Sequence, residues 1–305
     1  MTSNHIKFRK LILLPMALAL ALLLGCIIGA IYYQQQLMID KEERERLDGV
    51  EKTLPLLIAD EARILETALD SLAKEPLLQQ AWLARDRAAL LQAATPHFEG
   101  IRSRLKITHF YFIEPDATCF LRVHHPSLHG DTIQRLTMAR ARESGQPADG
   151  LELGPLGTIT FRVVQPWRLG GKIAGYLELG LELSQILPKL QESLGLEILV
   201  AIHKERLEQT RWEEGRRMLN LPAEWDRFEH VVLGGEKEQR IPKGLESFIN
   251  LSHQEHRRQL FTSPIDGQTR YAGKIPLTDA GGIEVGDLLV LFDLAAESAL
   301  QAKTL

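Results

Sequence analysis

Three rhythms of apolar and polar positions divide the chain. Residues 11–33 are apolar almost throughout and carry no charge. At about 1.5 Å of rise per residue, a helix of that length crosses a bilayer core of about 30 Å. From residue 41 the apolar positions thin out to one stripe at steps of three and four: Leu47, Val50, Leu54, Ile58, Ala62, Leu65, Leu69 and Leu72. That period predicts a long amphipathic helix. Pro55 predicts a kink within it, and Pro76 opens a second helical segment over 77–94. The stripe fits equally a face packed on the same chain and a seam shared with a second copy.

From residue 109 the period shortens to two, as in strands. Residues 109–113 and 119–125 flank the turn pair Pro115-Asp116 and read as a hairpin. Residues 132–144 are helical in composition, and Gly145 suits the position just past a helix end. Gly154-Pro155-Leu156-Gly157 is a turn. Strands 158–164 and 172–179 follow, joined through Gly170-Gly171.

The order then repeats. A connecting helix over 183–194 leads to a strand at 196–202, a charged helix at 204–219 and a strand at 229–233 closed by Gly234-Gly235. Asp266-Gly267 marks a hairpin between 258–263 and 269–276. The apolar run LLVLF sits in a strand at 285–293, and a last helix covers 294–303. The expected fold class is α+β with antiparallel sheets. A cytoplasmic N-terminus occupies 1–10, a transmembrane helix 11–33 and a helical stalk 34–95. A membrane-distal PAS-like unit follows at 96–182, a connecting helix at 183–194, a membrane-proximal PAS-like unit at 195–294 and a C-terminal helix at 295–305.

Charge orients the anchor. His5, Lys7, Arg9 and Lys10 precede the apolar run, and mixed charges follow it from Lys41, so the N-terminus is expected in the cytoplasm and the rest outside. Leu23-Leu24-Gly25-Cys26 resembles a lipid-attachment signal, but the run stays apolar beyond Cys26, which favours a membrane helix. With 36 Lys+Arg against 40 Asp+Glu the chain has a net charge of −4, which gives no support to nucleic-acid binding. Its two cysteines, Cys26 and Cys119, form neither a metal-ligand spacing nor a disulfide framework. No G-x-S-x-G, H-E-x-x-H or P-loop occurs. The expectation is a sensor and not an enzyme, with no cofactor.

The densest cluster of His, Arg and aromatic side chains lies between 109 and 180. Strict alternation along the hairpin puts Phe120, Arg122 and His124 on one face. On the later strands Arg162 shares a face with Thr160 and Val164, and Tyr176 with Glu178. An arginine on a half-buried strand needs a carboxylate or phosphate partner. A ligand can supply it, and so can Glu152 or Glu178. Candidate ligand-binding residues are therefore Tyr111, Arg122, His124, Arg162, Trp167, Tyr176 and Glu178, although Trp167 suits the edge of a core equally well. His124, His125, His129 and Asp131 invite a metal reading, but adjacent strand residues point opposite ways, so no metal is expected.

The segments FYFIEPDATCFLRVHHP, GLELGPLGTITFRVV and GYLELG, placed after a membrane helix and a helical stalk, resemble the extracytoplasmic double Cache domains of bacterial transmembrane receptors, above all of two-component sensor kinases. That resemblance implies capture of a small ligand in the membrane-distal unit. The ligand is expected to be anionic, and the partners are expected to be the membrane, a second copy through the stalk and a membrane signalling protein. A partner-binding scaffold for a separate kinase or cyclase is the alternative.

Overall fold

The structure, a computed structural model, describes residues 2–234, 241, 243–250, 261–265 and 268–292. It divides into Met1–Asp48 and Gly49–Leu305. The first body is part of α1 (Thr2–Ala73) and contains a 20-residue segment, Pro15–Gln34, of mean hydropathy 2.3, long and apolar enough to cross a membrane.

In the second body α1 continues as helix through Pro55, with no break where a kink was expected. It buries the predicted stripe against its own chain: Val50, Leu54, Leu65, Leu69 and Leu72 are buried. The predicted segment 77–94 is two helices, α2 (Pro76–Leu83) and α3 (Arg87–Leu105). The break comes at Asp86, whose side chain caps α3 by accepting from Ala89 N at 3.0 Å. α3 runs through Pro96, so the helical layer extends past residue 95.

The first sheet comprises β1 (His109–Ile113), β2 (Cys119–Arg122), β3 (Ala148–Leu153), β4 (Ile159–Leu169) and β5 (Lys172–Glu182), in the order β2-β1-β5-β4-β3. The helix α4 (Leu136–Ser144) lies between β2 and β3 in sequence and ends at Gly145, whose φ of 63° is the left-handed stop its sequence predicts. β3 is an addition to the expected strands. One face of this sheet packs on the helical layer, where Trp82 of α2 meets Phe112, Phe120 and Trp167 at ring separations of 5.1–6.3 Å. On the other face Tyr111, Ile113, Cys119, Val164 and Tyr176 pack against Ile133, Met138 and Ala141.

α5 (Leu183–Leu194) leads into a second sheet of β6 (Glu197–His203), β7 (Val231–Leu233), β8 (Phe261–Ile265), β9 (Gln268–Thr278) and β10 (Glu284–Phe292), ordered β7-β6-β10-β9-β8. α6 (Gln209–Met218) and the short α7 (Glu246–Ile249) complete it. With β6 in the place of β1, the two strand orders are identical. The Asp266-Gly267 turn and the helix expected at 294–303 lie outside the described residues.

The sheets touch through the β9–β10 turn. Ala280 N donates to Leu151 O of β3 at 2.7 Å. A Cβ on Gly150 would come within 2.6 Å of the Ala280 Cβ, so only glycine permits this approach.

Candidate functional site

The face of the first sheet beneath α4 holds the charges. Glu178, on the central strand β5, is fully buried. Arg162 Nη1 donates to its Oε1 at 2.6 Å, and Arg135 Nη2 lies 2.7 and 2.5 Å from its two oxygens. Burial alone would raise the Glu178 carboxyl; the two guanidiniums outweigh it and hold the group below the usual carboxylate range. Burial likewise opposes the Arg135 charge, and Glu178 more than compensates.

Glu152 of β3 completes the cluster. Its Oε1 accepts from Thr137 N at 2.9 Å and Thr137 Oγ1 at 2.8 Å. Arg135 is the N-cap residue of α4 and makes no side-chain cap bond, so the strand carboxylate serves the helix N-terminus instead. Its Oε2 lies 3.4 Å from Arg135 Nε and 3.7 Å from Arg162 Nε. These three atoms are buried without hydrogen-bond partners. They attract one another without bonding geometry, which leaves two donors and one acceptor of the buried network unused.

Tyr111 gathers the cations. The guanidinium carbons of Arg135, Arg122 and Arg162 stand 4.9, 5.3 and 5.8 Å from its ring centre. Arg122 forms a fork with Asp131, both Nη atoms donating at 2.7 Å, and Nη1 also donates to Leu128 O at 2.8 Å. This pairing raises the Arg122 pKa and lowers that of Asp131. The partner of Arg122 is thus Asp131 and not Glu152 or Glu178.

A bulge explains a further difference. Tyr111 faces Arg122 and Phe112 faces Leu121, but Ile113 faces Cys119, so Phe120 is an extra residue. Phe120 turns to Trp82 and to the Arg85 guanidinium, 5.0 Å from its ring, while Arg122 lies on the Tyr111 side. The two do not share the face that strict alternation assigns them.

His124 stands edge-on to Tyr111 and His109, at 4.8 and 4.7 Å, and its Nδ1 accepts from Phe110 N at 3.2 Å. Burial, with Arg162 and Arg122 nearby, lowers its pKa to about 4. Burial and then Arg162 lower that of His109 to about 2. The contact of His109 with Glu182 at 3.7 Å is therefore between a neutral ring and a carboxylate. Thr160 Oγ1 donates to the same Glu182 at 3.0 Å. Burial raises the Cys119 thiol to about 11, which keeps it protonated.

The structure brings Tyr111, Arg122, His124, Arg162, Tyr176 and Glu178 to one face. Trp167 is apart, on the opposite face, where it fits the core-edge alternative that its sequence also offers. It faces the helical layer, where its indole donates to Ala73 O at 2.9 Å. Arg135 is the residue sequence reasoning missed. It sits in the stretch read as helix but is extended, just before α4. The signal was Glu178 itself, in a run apolar enough to demand more than one cation. Among the described residues no group of three or more His, Cys, Asp or Glu is placed to hold a metal ion. Away from these charges, a groove of about 720 Å³ between α1 and α3 is lined by Ile64, Ala68, Leu72, Ile101 and Leu105 with Arg63 at its edge.

Residues 40–297 match the family described as the double sensory domain of two-component sensor kinase. The chain belongs to this double Cache family. Three solved structures are similar to it in fold. The periplasmic domain of Vibrio cholerae LuxQ is 15% identical, with a TM-score of 0.48 over 80% of this chain and 97% of that one. The sensor domain of the V. cholerae histidine kinase DctB is 13% identical, with a TM-score of 0.45 over 84% and 98%. The ligand-binding domain of the Campylobacter jejuni chemoreceptor Tlp3, solved with 4-methylisoleucine, is 11% identical, with a TM-score of 0.44 over 83% and 90%. No curated protein sequence matches the chain. In this double Cache chain the three arginines around one tyrosine, two on strands and Arg135 at the start of α4, lie on the first of the two sheets.

Proposed function

We propose that the chain is the signal-input part of a membrane-anchored sensor, without catalytic activity of its own, and that its first sheet binds a small ligand bearing a carboxylate. In this reading Pro15–Gln34 spans the membrane with the N-terminus in the cytoplasm, and the sheets lie outside. Exposed Leu56 and Ile64 on α1 are the face offered to a second copy.

The observation that supports it is the convergence of Arg122, Arg135 and Arg162 on Tyr111. Guanidinium forks recognise carboxylates bidentately, and an aromatic floor orients them. Arg162 and Arg135 are committed to Glu178, so Arg122, whose partner is on an exposed loop, is the ligand group.

The test is thermal unfolding of the full chain in detergent across a panel of small carboxylic acids, amino acids, amines and neutral analogues. A ligand that binds only the folded state raises the melting temperature, by an amount set by its concentration over Kd. The expected result is a rise with at least one carboxylate, lost in Arg122→Gln. A panel with no responder, or one answered only by amines, overturns the reading.

A further inference from the structure

We infer that the Asp131 side chain is an internal substitute for the ligand's acid group: the ligand enters by replacing the Asp131 carboxylate on the Arg122 fork. This rests on the proposed binding role of the first sheet and adds which contact is exchanged and which chemistry can exchange it.

The two halves of the fork differ in how they are held. The Arg122 side chain is 13% exposed and the Asp131 side chain 56% exposed. Arg122 is fixed from its strand and lies over the Tyr111 ring. Asp131 ends a loop whose residues, from His125 to Thr132, are all exposed. The cation is therefore built in and the anion is at the surface. The neighbouring acid shows the contrast: Glu178 is fully buried between two guanidiniums and has no route of exchange.

The loop backbone stays in place when the side chain leaves. Cys119 N donates to Asp131 O and Gly130 N donates to Cys119 O, both at 2.8 Å, and Thr118 pairs with Thr132 as an isolated bridge. Only a rotation about the side-chain bonds of Asp131 is needed. Arg122 also donates to Leu128 O, so the same exchange can release the middle of the loop.

Exchange of one carboxylate for another also sets specificity. A guanidinium stripped of water is strongly disfavoured if left unpaired. A ligand carboxylate takes over the bidentate bonds as Asp131 returns to solvent, so the charge on Arg122 is compensated throughout. A neutral or cationic ligand cannot do this, and Asp131 then keeps its place. The chemical class selected is a planar, bidentate acid.

Acetate, the bare functional group, is the probe. In the full chain in detergent, Asp131→Ala is expected to melt below the unsubstituted protein and to recover with millimolar acetate. Acetamide, of the same shape without the charge, and sodium chloride at equal ionic strength are expected to give no recovery. The unsubstituted protein should respond at least tenfold more weakly to acetate. Adding Arg122→Gln to Asp131→Ala should abolish the response. Asp131→Asn, which keeps the shape of the side chain, provides the same readout if the alanine variant fails to fold. No acetate response in either variant, an equal response to acetamide, or a response that survives Arg122→Gln overturns the inference. A carboxylate that binds the unsubstituted chain and Asp131→Ala with the same Kd overturns the exchange alone and leaves the proposed binding role standing.

Discussion

In the first sheet Glu178 lies between Tyr111 of β1 and Val164 of β4; in the second, Asp287 lies between Ala201 of β6 and Pro276 of β9. Arg162 is two residues before Val164, and Lys274 is two residues before Pro276. An acid on the last strand and a base on the fourth thus recur at equivalent register positions in both sheets. Asp287 is buried with His203 Nε2 at 3.1 Å. Buried Lys274 sits 5.4 Å above the Phe248 ring and donates to Ile249 O at 3.3 Å. Among the described residues the first sheet has what the second lacks at the matching place: a tyrosine where the second has Ala201, and two further guanidiniums, Arg135 and Arg122, over that ring. The acid–base pair is common to both sheets, and the proposed recognition role rests on the additions. On the proposed reading Arg162 and Glu178 belong to the shared pair and Arg122 to the additions.

The largest effect that can test this difference is expected at Glu178. Glu178→Gln keeps the size of the side chain but removes the charge that holds Arg135 and Arg162. Two buried cations then share only Glu152, and breaking such a network costs about 3–5 kcal/mol. Denaturant unfolding of the full chain in detergent measures it. A loss under about 1 kcal/mol would mean that the buried charges are already compensated and that Glu178 is not the centre of the first sheet.

Acid should separate the sheets next. His109 and His124 have folded-state pKa values lowered to about 2 and about 4. The unfolded chain binds these protons near pH 6.5, and the folded chain does not. Stability is therefore complete above about pH 6.5 and falls as pH drops, for His124 down to about 4 and for His109 down to about 2. The slope is about 1.4 kcal/mol per pH unit for each histidine, so one unit below 6.5 costs about 2–3 kcal/mol. Glu178 and Asp131, held low by their arginines, add further loss once the pH reaches the carboxylate range. With Trp212 and Trp225 replaced by Phe, the remaining tryptophans, Trp82 and Trp167, report the first sheet. Their transition should shift with acid, and replacing His109 and His124 together by Gln should remove the shift above pH 5. An unchanged slope in that variant would place the acid response elsewhere.

What the sequence made legible follows from how local each signal is. The stripe from Val50 to Leu72, the stop at Gly145, the Gly170-Gly171 hairpin and the apolar run of β10 all depend on residues within a turn or two of one another. The face of Arg162 with Thr160 and Val164 was readable for the same reason, since β4 alternates regularly there. Arg122 was misaligned with Phe120 because one bulge residue shifts everything after it, and nothing in CFLR announces a bulge. Arg135 was hidden by a helical stretch that starts only at Leu136. Its pairing with Glu178 spans 43 positions and comes from tertiary packing. Asp131 stands in the sequence only beside histidines that invite a metal reading, because its arginine partner is identified only by the path of the loop. The equivalence of Lys274 to Arg162 was beyond reach, since it depends on strand register.

That equivalence gives the smallest expected effect and the sharpest comparison. Lys274→Met keeps a long flexible side chain over Phe248 and removes the amine. Burial already lowers the Lys274 pKa, with Asp287 opposing, so its charge is held at a cost. Its removal loses the bond to Ile249 O and the attraction to Asp287, among its contacts, while His203 stays beside the acid. A hydrogen bond of that kind contributes about 1 kcal/mol net, and the relief of desolvation offsets part of it. Lys274→Met should therefore cost about 1 kcal/mol or less. Arg162→Met, at the matching position, should cost about 3 kcal/mol or more, because Glu178 and Glu152, both buried, lose a partner. Denaturation midpoints of the two variants decide it. Equal losses would mean that both sheets depend on the pair alike, and that the guanidiniums added around Tyr111 do not distinguish the first sheet from the second.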